Sequence, residues 1–151
     1  MYKDFKDLLS CFNARGVKYL IVGGYAVSFH AQPRATKDID LFIKAAPENA
    51  RAAYAALRDF GAPLDGVSEA DLADPSKFIR FGREPVAVDI LPGIEGVDFD
   101  AAWNDRVAGV VDRATGLTGL YISREHLIAS KLASGRLRDL ADVEEIREAQ
   151  A

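Results

Sequence analysis

Asp38, Ile39 and Asp40 place two carboxylates one residue apart within Lys37–Ile43, which reads KDIDLFI. The run alternates, so as a β-strand it turns Asp38, Asp40 and Phe42 to one face and Ile39, Leu41 and Ile43 to the other. Two carboxylates so close repel each other unless a cation lies between them. Hard oxygen ligands at this spacing suit Mg²⁺ or Mn²⁺. A third carboxylate, Asp89, stands inside the apolar run Val86–Leu91, VAVDIL. A charge in such a strand is costly unless something compensates it. A metal shared with Asp38 and Asp40 would do so, as would a salt bridge to Arg80 or an edge-strand position. With the Asp38–Asp40 pair also present, the metal is the stronger reading.

The elements that must position these groups are legible. Tyr19–Val22 is an apolar, β-prone run ending at Gly23-Gly24, where the missing Cβ atoms allow a sharp turn and close approach to a ligand. A tight turn with no ligand is the plainer alternative. A short helix is expected from Tyr25 to about Ala31, and GxGxxG is absent, which disfavours a dinucleotide fold. His30 could be a base, but a hydrogen-bonded helix-end residue is the commoner role. Pro33 stiffens the loop carrying Arg34 and Thr36 into the acidic strand. Arg34 could take a phosphate through its planar fork or balance the aspartates from the protein side.

Elsewhere, Lys3–Arg15 reads as a helix with the apolar stripe Phe5, Leu8, Leu9 and Phe12, stopped by Gly16. Pro47–Phe60 is the clearest helix, with Gly61 after it. One turn is expected within Ser68–Ala73. Phe78–Phe81 and Val86–Leu91 flank Gly82-Arg83-Glu84-Pro85, a hairpin signal. Asp98–Asp105 reads as a helical turn whose Trp103 packs rather than stacks on a base. Arg106–Val111 and Gly116–Ile122 read as short strands or a hairpin. Ser123 caps a helix running to about Ser134, with Leu127, Ile128 and Leu132 as its stripe. Lys131 lies near that stripe and either snorkels outward or projects into the cleft. Gly135 then ends the helix, Asp139 caps the next one, and Asp142 favours its first turn.

The order of strand, Gly-Gly, short helix and Asp-Ile-Asp-Leu resembles the polymerase-β-type nucleotidyltransferase superfamily. It is most similar to the small bacterial branch related to abortive-infection nucleotidyltransferase toxins. Arg34-x-Thr36-x-Asp38-x-Asp40 and Lys131 with the downstream Arg138-Asp139-x-x-Asp142 carry the same resemblance. The resemblance implies an α/β (α+β) nucleotidyltransferase fold, a small mixed sheet flanked by helices with a C-terminal helical pair from about residue 123. It implies catalytic, metal-binding Asp38, Asp40 and Asp89, and nucleotide contacts from Gly23, Gly24, Arg34, Thr36 and Lys131. The implied reaction moves a nucleoside monophosphate from a nucleoside triphosphate to an acceptor hydroxyl on RNA, protein or a small molecule, with Mg²⁺ or Mn²⁺. A toxin–antitoxin or defence setting, with a cognate partner protein or a homodimer, goes with that branch. A nucleotide-binding or antitoxin-like protein without turnover is the alternative. The second turn residue is Gly24 where a serine hydroxyl would contact phosphate, and about sixty residues follow Asp89, little room for an acceptor domain.

Composition narrows the classes. The 151 residues, 49% of them hydrophobic, fit one globular domain with a real core. A net charge of −4 argues against wrapping nucleic acid by bulk charge. Met1–Asp7 is charged, unlike a signal peptide, and no apolar run suits a membrane span. A cytoplasmic setting is expected. Cys11, the single cysteine, excludes an intrachain disulfide and reads as a packing residue.

Overall fold

The computed structural model describes residues 1–83 and 86–149. Helix α1 (Lys3–Ala14) leads into β1 (Tyr19–Val22), α2 (Gly23–His30) and β2 (Asp38–Ile43). Then come α3 (Pro47–Phe60), α4 (Glu69–Leu72), β3 (Ile79–Arg83), β4 (Val86–Leu91) and α5 (Phe99–Asn104). The last elements are β5 (Val107–Asp112), β6 (Leu117–Tyr121), α6 (Arg124–Ser134) and α7 (Leu137–Ala149). The strands form one mixed sheet in the order β3-β4-β2-β1-β6-β5. β1 runs antiparallel to β2 and parallel to β6, and β2 runs parallel to β4. The α/β expectation of a small mixed sheet with a C-terminal helical pair holds. No described helix is long and apolar enough to cross a membrane.

The core follows the hydrophobic pattern. Phe5, Leu8, Leu9 and Phe12 of α1 are fully buried, as are Tyr19, Leu20 and Ile21 of β1 and Ile39, Leu41 and Ile43 of β2. α1 packs on α3, while α6 and α7 pair and meet α2. Trp103 does pack: it stacks on Phe99 and lies under the Arg106 guanidinium, 4.0 Å from its ring centre. His30 ends α2 with its Nε2 2.7 Å from the Ile122 carbonyl oxygen, the helix-end role. Cys11 is partly buried against the core.

Phe42 of β2 is buried against Phe99, ring centres 4.9 Å apart, so the acidic face of that strand is open only at Asp38 and Asp40. Three expectations are corrected. Helix α2 begins at Gly23, not Tyr25, so both glycines form its first turn. Leu132 is 47% exposed, and the buried place on α6 belongs to Lys131. The reason is α7, which meets α6 with two aspartates and makes a charged side chain tolerable on that face. Finally, α7 starts at Leu137, so Asp139 is its third residue, not its cap, and Asp142 lies beyond the first turn. The hairpin strands β3 and β4 pair antiparallel. Glu84 and Pro85 of the expected turn lie outside the described residues.

Candidate active site

Register builds the site. Val22 of β1 stands opposite Asp40 of β2, Asp40 opposite Asp89 of β4, and Asp89 opposite Arg80 of β3. Residues directly opposite in a sheet share a face, so Asp40, Asp89 and Arg80 form one row across three strands. Asp38, two residues before Asp40, joins the same face. The three aspartates therefore sit on one side of the sheet.

The row is only partly neutralised. Arg80 donates through Nη1 to Asp89 Oδ2 at 2.8 Å and through Nη2 to Asp38 Oδ2 at 3.2 Å. Asp38 Oδ1 and Asp89 Oδ1 are buried with no hydrogen-bond partner. Asp40 is half-buried, and its pKa is pushed up to about 7. Burial is the largest cause, followed by the Asp89 carboxyl and the Asp38 charge, with Arg80 partly offsetting them.

Helix α2 opens onto the row. Its N-cap, Val22, offers no side-chain cap, and its first turn has no acidic residue. Free N–H groups at such an end are suited to an anion. Gly23 has φ +67°, and an added Cβ would overlap the Asp40 carboxylate. Gly24 is confined less severely: a Cβ there would come within 2.9 Å of Thr36 Cγ2. The Thr36 hydroxyl donates to the Arg34 carbonyl at 3.3 Å, and Tyr25 donates to the Thr36 carbonyl at 3.1 Å, fixing the loop beside the helix end. Gly23→Ala should therefore displace Asp40 and strain the turn, lowering nucleotide affinity at least about tenfold while the fold survives. Calorimetry beside a circular-dichroism melt checks this, and unchanged nucleotide affinity would refute it.

A cleft of about 590 Å³ joins these parts, bordered by Gly23, Gly24, Arg34–Asp38, Asp40 and Asp89 on one side and Lys131, Arg136, Arg138, Asp139 and Asp142 on the other. Its volume lies within the range of small-molecule sites. All eight residues anticipated from the sequence border it. Two have partners that the sequence reading did not give them. Arg34 reaches Asp142 on α7, Nη1 to Oδ1 at 3.0 Å, rather than the Asp38–Asp40 pair. Lys131, buried, lies 3.0 Å from Asp142 Oδ2 and 3.5 Å from Asp139 Oδ1. Burial alone would raise the Asp139 pKa, but hydrogen bonds from Ser134 and Arg136 with the Lys131 charge pull it down to about 2. Asp142 is lowered too: burial opposes, and Arg34 and Lys131 prevail. Both aspartates stay ionised.

Sequence reasoning missed three cleft cations, Lys37, Arg136 and Arg138. Arg136 is held by Asp139 at 2.9 Å. Lys37 and Arg138 have no ion-pair partner among the described residues. The resemblance had already marked the Arg138-Asp139-x-x-Asp142 segment without giving Arg138 a site role, and Lys37 stands directly before Asp38.

The donor set fits a divalent cation: three hard carboxylates, two buried orphan oxygens and a glycine that leaves room at Asp40. Among the described residues no group of three His, Cys, Asp or Glu side chains is placed to hold a metal ion as it stands, and the Arg80 guanidinium pairs with two of the three aspartates.

A mixed sheet presenting a carboxylate row beside an uncapped helix that opens with Gly23 and Gly24 is the arrangement the nucleotidyltransferase resemblance implies. Residues 3–148 match the model of the family described as nucleotidyltransferase of unknown function (DUF6036), and the chain belongs to that family. No curated protein matches the chain. Among solved structures it is similar to the lincosamide antibiotic adenylyltransferase LnuA, determined with lincomycin bound. That match has a TM-score of 0.54 and 16% identity, covering 99% of this chain and 98% of the other. At that identity the likeness speaks for the fold, and with the family it makes this chain a nucleotidyltransferase.

Proposed function

We propose that this nucleotidyltransferase moves a nucleoside monophosphate from a nucleoside triphosphate to a hydroxyl of a small molecule, using a divalent cation held by Asp38, Asp40 and Asp89. The observation that carries the reading is the Asp40–Asp89 register beside the free N-terminus of α2. When bound, Mg²⁺ or Mn²⁺ supplies positive charge for the reacting phosphate and lowers the pKa of the attacking hydroxyl. Gly23 and Gly24 offer backbone N–H groups to the β and γ phosphates. The acceptor oxygen forms a bond to the α phosphorus as the bond to the pyrophosphate oxygen breaks. The hydroxyl proton passes to the Asp89 carboxylate, and pyrophosphate leaves.

Arg34, Thr36 and Lys131 form the wall of the nucleotide site. Arg34 and Lys131 share Asp142 and so offer the phosphates less charge than their number suggests. Lys37 and Arg138 border the same cleft without a carboxylate partner among the described residues, and they meet the polyphosphate. Substituting both by Ala should raise the nucleotide KM about tenfold and leave the fold intact, as seen by steady-state kinetics and a thermal melt. An unchanged KM would exclude them.

A small-molecule acceptor is favoured over RNA or protein. The lincosamide antibiotic adenylyltransferase, which this chain resembles in fold over nearly its whole length, was determined with a small molecule, lincomycin, bound, and that likeness supports such an acceptor here. The acidic net charge of −4 also disfavours RNA. The test is pyrophosphate release with Mg²⁺, each nucleoside triphosphate and three acceptor sets: hydroxylated small molecules, RNA and protein. Release with small molecules alone, lost on chelation and in Asp38→Ala, is expected. Release only with RNA or protein would move the acceptor to the toxin-like class. Nucleotide binding without release would favour a partner protein without turnover, and no nucleotide binding would end the reading.

A further inference from the structure

The guanidinium of Arg80 touches both Asp38 and Asp89. It satisfies them incompletely. Each carboxylate gives it one oxygen, Oδ2, and each keeps Oδ1 buried and without a hydrogen-bond partner. Asp40 lies alongside, half-buried, opposite Asp89 in the sheet. Without any cation, three carboxylates on one face would repel and spread. With Arg80 in place they are held, but by one charge delivered through directional N–H groups. A divalent ion brings twice the charge and no preferred direction, and it can take the oxygens the guanidinium leaves orphaned. Arg80 rises from β3 at the sheet edge, and its side chain is 42% exposed, so solvent and ions reach the guanidinium.

We propose that Arg80 is a positioning residue that acts as the site's own counter-cation, holding Asp38 and Asp89 face to face until a divalent ion displaces it. This rests on the metal–carboxylate reading above. Two consequences follow. The aspartates are preorganised before metal arrives, and metal affinity is set by a competition between Arg80 and the ion.

The experiment is Mn²⁺ binding, followed by electron paramagnetic resonance and calorimetry at about pH 8, to wild type, Arg80→Gln and Arg80→Lys. Arg80→Gln keeps polarity and removes the competing charge, so it should bind Mn²⁺ about tenfold more tightly. Arg80→Lys restores a charge without the fork and should fall between the two. Equal or weaker binding by Arg80→Gln, with wild type still binding, overturns the role of Arg80 and leaves the metal site standing. Absence of Mn²⁺ binding from every form removes the metal site and the competition together. Should Arg80→Gln fail to fold, wild type answers alone: Mg²⁺ should shift the Arg80 Nε–H resonance in a ¹⁵N spectrum, and an unmoved resonance at saturating Mg²⁺ overturns the displacement.

Discussion

Asp40→Asn is expected to abolish nucleotidyl transfer and, in the chelated protein, to raise stability above pH 7. Both effects come from the same buried charge. An ordinary aspartate titrates at about 3.9, whereas folded Asp40 titrates at about 7. Between those values the folded state holds the proton more tightly than the unfolded state. Stability conferred by that proton is therefore present below about pH 4, declines as pH rises and is gone above about 7. The full shift corresponds to roughly 4 kcal/mol, and relaxation of a half-buried group reduces what a melt will show to about 2 kcal/mol. Asn keeps the shape, carries no charge and should flatten the slope between about pH 4 and 7. Transfer should fall at least about a thousandfold, as the proposed metal role of Asp40 requires. Mg²⁺ should recover stability in wild type at about pH 8 but much less in the variant. Thermal melts across pH with EDTA or Mg²⁺, beside pyrophosphate release, measure all of this. A variant that melts as wild type does at every pH would show that Asp40 is not a strained carboxylate.

Asp142→Ala should be the most damaging single change outside the aspartate row. Asp142 is 4% exposed and serves two cations from different parts of the chain, Arg34 before β2 and Lys131 on α6. Its removal leaves Lys131, itself 9% exposed, with only the longer 3.5 Å contact to Asp139. Breaking one partner of a buried pair costs about 3 kcal/mol or more, because the remaining charge stays desolvated. Since the pair joins α6 and α7 to the loop carrying Thr36, the cleft wall should loosen along with the fold. Lys131→Met combined with Asp142→Leu should recover much of the stability by removing both charges, while nucleotide affinity stays low. A double-mutant cycle in urea reads the coupling. Additive single effects would mean that Asp142 and Lys131 do not act together.

The residues that gather at the cleft were legible because local patterns mark them. Alternation in Lys37–Ile43 and the lone charge in Val86–Leu91 marked the three aspartates, and Gly23-Gly24 marked the turn beside them. The helices at Pro47–Phe60 and Lys3–Ala14 followed from apolar spacing and from the residues that start and stop them. What stayed hidden was pairing between distant segments. Asn49 reads as an ordinary surface residue of α3, yet it is buried, accepting from the Lys18 N–H at 2.8 Å and donating to the Lys18 and Lys44 carbonyls. Leu132 looked like core and Lys131 like its rim, and the facing aspartates of α7 reversed them.

The sequence by itself determined which side chains carry charge, which strands bear them and where glycine frees the backbone, since these depend on neighbours within a few positions. Beyond the Arg80–Asp89 bridge, which the sequence offered as one alternative, only the tertiary structure decided who neutralises whom. Arg34 and Lys131 meet at Asp142, and Arg80 spans Asp38 and Asp89, across gaps of 108, 11, 42 and 9 residues. Charge partnership depends on distance in space, and strand order and register set that distance once the chain has closed on itself.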